Sequence, residues 1–142
     1  MLHLRIAESH DAGRIAELFL QLGYANTGTE LKERLAERFA DSADRICVAE
    51  QGGRVEGVIV LNYILPFHAE GKWAMISALV VDQALRSSGV GAALLAHAEA
   101  HALAAGCSRV ELSSNESRTR AHAFYLKRGF AEVRKRFVKR YA

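Results

Sequence analysis

The chain has 142 residues, 50% of them apolar and 25% charged, with a single proline and a formal net charge of +3. That length and balance predict one soluble globular domain over residues 1–142, large enough to bury its own core, rather than a disordered or fibrous chain. No apolar run reaches the roughly eighteen residues of a membrane span, the opening Met1-Leu2-His3-Leu4-Arg5 lacks a leader pattern, and +3 is modest for a nucleic-acid binder.

Leu2, Leu4 and Ile6 alternate with polar residues, the pattern of a first strand. Ser9 is placed to cap a helix in which Ala12, Ile15, Leu18, Phe19 and Leu22 share one face, and Gly23 ends it. Thr27 and Glu30 have capping-box spacing ahead of a second helix with a Leu31, Leu35, Phe39 stripe. Residues 45–50 and 54–65 read as strands joined at Gln51-Gly52-Gly53, and Pro66 closes the second. Residues 73–81 are apolar on both faces, as in a central strand. A helix over 89–105 ends at Gly106, a strand follows over 109–113, a last helix over 117–128 stops at Gly129, and 130–141 reads as a final strand. Cys47 and Cys107 have no CxxC spacing and are expected to be buried thiols of a cytoplasmic protein. The predicted class is α+β: a central mixed, mostly antiparallel sheet flanked by helices. The two strands of the unit from Trp73 to Ser113 should pair in parallel.

The most telling stretch is Leu79-Val80-Val81-Asp82-Gln83-Ala84-Leu85-Arg86-Ser87-Ser88-Gly89-Val90-Gly91-Ala92. A β-branched run stops at an Asp, and a short polar turn carries an Arg and two glycines into an Ala/Leu-rich helix. The first N–H groups of a helix have no internal partner and carry partial positive charge, so such a turn can seat a phosphate. The spacing is neither the dinucleotide Gly-x-Gly-x-x-Gly nor a Walker A loop. On spacing alone, an ordinary tight turn is the alternative.

Two other features point away from chemistry. His97 and His101 flank Glu99, which is not His-Glu-x-x-His and lacks a third ligand, so no metal is expected. The basic tail alternates, with Val133, Phe137 and Tyr141 on one face and Arg134, Arg136 and Arg140 on the other. A strand with one wet side fits it better than a nucleic-acid patch, and a second copy of the chain covering that edge would make a homodimer.

The turn with Arg86, Gly89 and Gly91, together with Leu112-Ser113-Ser114-Asn115-Glu116-Ser117-Arg118, Ala121-His122-Ala123-Phe124-Tyr125 and Gly129-Phe130, resembles the GNAT acetyltransferase superfamily over nearly the whole chain. The resemblance implies its acyl-CoA N-acyltransferase fold, splayed between strands 4 and 5, and acetyl-CoA as cosubstrate. It implies that the backbone of strand 4 at Leu79, Val80 and Val81 bonds pantetheine. Arg86 and the N–H groups of Ser87, Ser88, Gly89, Val90, Gly91 and Ala92 would hold pyrophosphate. Asn115, Phe124 and Tyr125 would reach the arm, and Tyr125 would protonate the departing thiolate. The family's turn often has Pro where Gln83 stands and Lys, Arg or Gly where Ser87 and Ser88 stand.

The implied activity is direct transfer of acetyl to a primary amine on a small molecule or peptide; the alternative is a CoA-binding sensor without turnover. Some members of the family carry a Glu base on the fourth strand, but here that strand has no carboxylate and Met75 stands near the place. The base is then ordered water, or Glu70, His68 or Glu111. The acceptor is expected between the first two helices and the loop after the third strand, where Tyr24, Asn26, Glu30, Tyr63, Phe67, His68, Glu70 and Trp73 are candidate wall residues. Glu30 and Glu70 would favour a cationic amine.

Overall fold

The structure is a computed structural model that describes every residue except 40–42, 87, 115–117, 134 and 142. It divides into two compact units, Met1–Leu112 and Ser113–Ala142. In the first unit, β1 (His3–Ile6) leads through a short 3-10 turn (Ser9–Asp11) into α1 (Ala12–Leu22) and then α2 (Gly28–Arg34), which widens into a π turn over Leu35–Phe39. There follow β2 (Arg45–Gln51), β3 (Arg54–Ile64), β4 (Lys72–Val81), a 3-10 turn (Gln83–Leu85), α3 (Val90–Ala104) and β5 (Cys107–Leu112). The sheet order is β1-β2-β3-β4-β5, antiparallel except for the parallel β4–β5 pair. This is the predicted mixed, mostly antiparallel sheet.

Each face of the sheet is sealed by apolar side chains. On one, Ala12, Ile15, Ala16 and Leu18 of α1 and Leu31 of α2 pack with Val48, Val58 and Val80. On the other, α3 buries Val90, Leu94, Leu95, Ala98 and Ala102. Leu18, Ile59, Leu94 and Leu95 are almost wholly withdrawn from water, each contributing about 1.5–3 kcal/mol. Gly57 of β3 sets how near α3 comes: a Cβ there would lie 2.9 Å from Leu94 Cδ1, 3.1 Å from Val90 Cγ1 and 3.3 Å from the Val80 carbonyl oxygen.

Local signals in the sequence hold at most ends. The Thr27 hydroxyl accepts the Glu30 amide at 3.0 Å, and Glu30 returns an oxygen to the Thr27 amide at 3.0 Å. Gly23 closes α1 with φ of 105°, and Tyr24 N–H reaches back to Phe19 O at 2.9 Å. Ser9 does not cap α1. That end is held by Asp11, which accepts the Glu8 amide at 2.8 Å and takes both arms of the Arg5 guanidinium at 2.8 and 3.0 Å. Asp11 is the N-cap residue, and its carboxylate serves the preceding 3-10 turn rather than the amides of α1.

The second unit contains α4 (Thr119–Lys127). Its C-terminus forms a Schellman turn: Phe130 N–H meets Tyr125 O at 3.1 Å, Gly129 N–H meets Leu126 O at 3.2 Å, and Gly129 has φ of 90°. The expected final strand over 130–141 is absent from the described residues there, and Val133, Phe137 and Tyr141 are exposed. Alternation signals a strand, but a strand exists only where another strand completes its ladder.

Candidate active site

β4 has two unlike halves. From Lys72 to Ile76 it pairs with β3 on one side and β5 on the other, ending at Ile76 opposite Leu112. From Ala78 to Val81 it pairs with β3 alone among the described residues, Leu79 facing Ile59, Val80 facing Val58 and Val81 facing Gly57. Between the halves the β3 register jumps from Val60–Ala78 to Leu61–Ile76, which leaves Ser77 as the extra residue of a bulge. The splay expected between strands 4 and 5 therefore begins at the bulge, beside Leu79, Val80 and Val81.

The open half runs into the turn before α3. Gly89 is the N-cap of α3 with φ of 94°, a conformation glycine adopts without strain, and no side chain caps it. The first backbone bond of the helix runs from Ala93 N–H to Gly89 O at 3.0 Å, so the amides of Val90, Gly91 and Ala92 precede it. A Cβ at Gly89 would meet nothing within 4 Å. Arg86, Ser88 and Gly89 are exposed, and the Ser88 hydroxyl donates to Leu85 O. An uncapped, open helix start with a flanking guanidinium is suited to a phosphate. Ser87 and Asn115 lie outside the described residues.

The turn is tied to α1 by residues that sequence reasoning passed over. Arg14 donates to the Val55 carbonyl at 2.7 Å and to Asp82 Oδ2 at 2.6 Å, and Asp82 accepts the Ala84 amide at 2.9 Å. Gln21 Oε1 accepts the Gln83 amide at 2.9 Å. The Arg14 guanidinium, then the Ala84 amide, hold the Asp82 carboxyl below its ordinary range. Arg14 lies one turn before the buried Leu18, so its only sequence signal is a charge set into the apolar face of α1.

In the second unit, Tyr125 packs edge-on against Phe124 and Phe130, with ring centroids 5.4 and 5.8 Å away. Burial raises the phenol above its ordinary value, against a smaller opposing pull from Arg118. The phenol therefore keeps its proton at neutral pH and can donate it. Arg128 stacks on Phe124 at 3.9 Å.

The expected acceptor residues form two groups and two outliers. Trp73 gathers His68 edge-on at 5.7 Å and the Arg109 guanidinium at 4.0 Å, while Lys72 Nζ lies 5.3 Å from the Tyr63 ring. Burial raises the Tyr63 phenol as well. The group at α2 is engaged with itself: Arg34 donates to Asn26 Oδ1 at 2.6 Å and pairs with Glu30 at 3.5 Å, which also caps the helix. Glu30 is thus occupied structurally, and Tyr24 beside it is exposed. Phe67 and Glu70 project from the loop into solvent. Met75 pairs with Asn62 on β3 and Glu111 on β5, so these three side chains share one row on one face. A carboxylate thus stands one strand away from the place where β4 has none.

Over residues 13–130 the chain matches the Acetyltransferase (GNAT) family. The chain belongs to this family. The aminoalkylphosphonate N-acetyltransferase of Salmonella typhimurium (strain LT2) is 31% identical over 137 residues, 96% of this chain and 89% of that protein. Among solved structures, an acetyltransferase of Trypanosoma brucei superposes with a TM-score of 0.84 at 26% identity, covering 99% of this chain and all of that one. The glucosamine-6-phosphate N-acetyltransferase of Arabidopsis thaliana shares the fold with a TM-score of 0.87 at 24% identity, over 100% of this chain and 99% of that one.

Proposed function

We propose that this protein transfers the acetyl group of acetyl-CoA to the primary amine of a small molecule, with aminoalkylphosphonates as the first class to test. The observation that carries the reading is the open half of β4 running into the uncapped start of α3. The first offers backbone amides and carbonyls to the pantetheine arm, and the second offers N–H groups to the pyrophosphate. The match to the GNAT family spans both units, which supports reading residues 1–142 as one functional domain. The acceptor class rests on the aminoalkylphosphonate relative. The engagement of Glu30 by Thr27 and Arg34 takes away part of the case for a polycationic acceptor.

In this reading the amine lone pair forms a C–N bond to the acetyl carbon, the C–S bond breaks, and the sulphur leaves as a thiolate. Tyr125 shares its proton with that thiolate, whose ordinary pKa of about 8.5 already makes it a fair leaving group. The surplus amine proton passes to water, with Glu111 beside Met75 ahead of the solvent-exposed Glu70 as the protein group next to take it. The test is release of free CoA thiol from acetyl-CoA with a panel of 2-aminoethylphosphonate, glycine, spermidine, an aminoglycoside and a peptide N-terminus. The fastest release is expected with 2-aminoethylphosphonate. Faster release with the peptide or polyamine moves the acceptor class, and release with none overturns the transferase reading in favour of a CoA-binding sensor.

A further inference from the structure

Ser77 is the one polar residue between Trp73 and Val81, and it is the bulged residue. It is exposed, and its hydroxyl donates to Asn62 Oδ1 at 2.6 Å. Asn62 Nδ2 in turn donates to Asp44 Oδ2 at 3.0 Å, while Asp44 Oδ1 accepts the Tyr63 amide at 2.9 Å. The direction of this chain follows from its far end. An ionised carboxylate can only accept, so Asn62 must turn its NH2 toward Asp44 and its carbonyl toward Ser77. That carbonyl can only accept, so it uses the one hydroxyl hydrogen of Ser77. What Ser77 Oγ presents to an approaching molecule is lone pairs alone.

We propose that Ser77 Oγ, oriented by Asn62 and Asp44, accepts a hydrogen bond from the N–H of the acceptor amine and so aims the nitrogen lone pair at the acetyl group. The inference rests on the transferase reading above and adds to it a residue that selects for an N–H nucleophile. The same geometry excludes the other task a hydroxyl could perform here. Stabilising the oxyanion of a tetrahedral intermediate needs a free O–H, and this one is already given to Asn62. As the C–N bond forms and the C–S bond breaks, the amine N–H bonds become more positive until one proton leaves to base and the thiolate takes one. An acceptor oxygen polarised through Asn62 toward a carboxylate stabilises that developing charge without having to reorganise. Ser77 touches the substrate; Asn62 and Asp44 are positioning residues.

The test compares wild-type protein with Ser77→Ala, Ser77→Thr and Asp44→Asn, using 2-aminoethylphosphonate or whichever amine of the panel the wild type acetylates fastest. Ser77→Ala is expected to raise the amine KM about tenfold, the size of one lost hydrogen bond, with the acetyl-CoA Kd changed less than twofold. Ser77→Thr, which keeps the hydroxyl, returns KM to near the wild-type value. Asp44→Asn, whose amide no longer dictates the Asn62 orientation, raises KM in the same direction, and combining it with Ser77→Ala adds little because both act through one oxygen. Normal wild-type turnover with an unchanged amine KM in Ser77→Ala overturns this inference alone. Wild-type protein that binds acetyl-CoA but acetylates no amine overturns the transferase reading, and this inference with it.

Discussion

The two halves of β4 are alike in apolar character and unlike in pairing. Lys72–Ile76 is locked between two neighbours, whereas Ser77–Val81 keeps β3 and gives up β5. Trp73-Ala74-Met75-Ile76 and Ala78-Leu79-Val80-Val81 are equally apolar. The difference therefore lies in pairing rather than composition. A ladder that is complete on both sides has no backbone group left for a ligand, and one that stops at a bulge leaves an edge that a ligand can read.

Substitutions can break this contrast. The largest effect is expected outside the sheet, at the proton donor proposed for the leaving sulphur. Tyr125→Phe should lower kcat about ten- to a thousandfold with acetyl-CoA affinity nearly unchanged, measured by thiol release and calorimetry. An unaffected kcat removes the role. At the end of the open half, Gly89→Glu places a carboxylate where the pyrophosphate is read to sit. The acetyl-CoA Kd should rise about a hundredfold while far-UV circular dichroism stays native. In the closed half, Ile76→Ala should do the reverse. Ile76 is 5% exposed, so about 2–4 kcal/mol of stability goes, read by urea unfolding, with acetyl-CoA Kd unchanged in the folded fraction.

The smallest effect concerns the Arg14–Asp82 tether below the turn. Asp82 is held below its ordinary value in the folded protein and returns to it on unfolding, so the unfolded chain binds the proton more readily. The tether's stabilisation is complete above the ordinary carboxylate range and is lost as pH falls through the depressed value. Asp82→Asn should therefore lower Tm at neutral pH and flatten its decline on acidification. A mutant profile parallel to the wild type over the whole acid range counts against the tether.

Much of this arrangement was legible in the residues, for physical reasons that also mark where legibility ended. Helix ends were readable wherever the cap is local, as at Thr27–Glu30, Gly23 and Gly129, because the signal and the structure lie within one turn. The Gly89 turn was readable because a glycine at positive φ leaves its mark in the sequence. The Ser77–Asn62–Asp44 chain was not, since Asp44 and Asn62 lie eighteen residues apart and meet only across a formed sheet. Its faint signal was one serine in an otherwise apolar run. Glu30 carries two readings at once: the carboxylate expected at the acceptor wall is the one whose capping-box spacing the helix uses. The tail over 130–141 shows another limit, since its alternation is present and no strand forms among the described residues there.

Gly57 touches none of the groups assigned to catalysis, yet it governs the ground on which they stand. Because that residue has no side chain, the long helix lies down on the sheet at Val90 and Leu94, next to its uncapped start. One extra methyl group beneath it would act as a shim, lifting the helix at the end proposed to meet the acyl donor. The seat of the helix start is in this sense decided from within the sheet, by an atom that is missing.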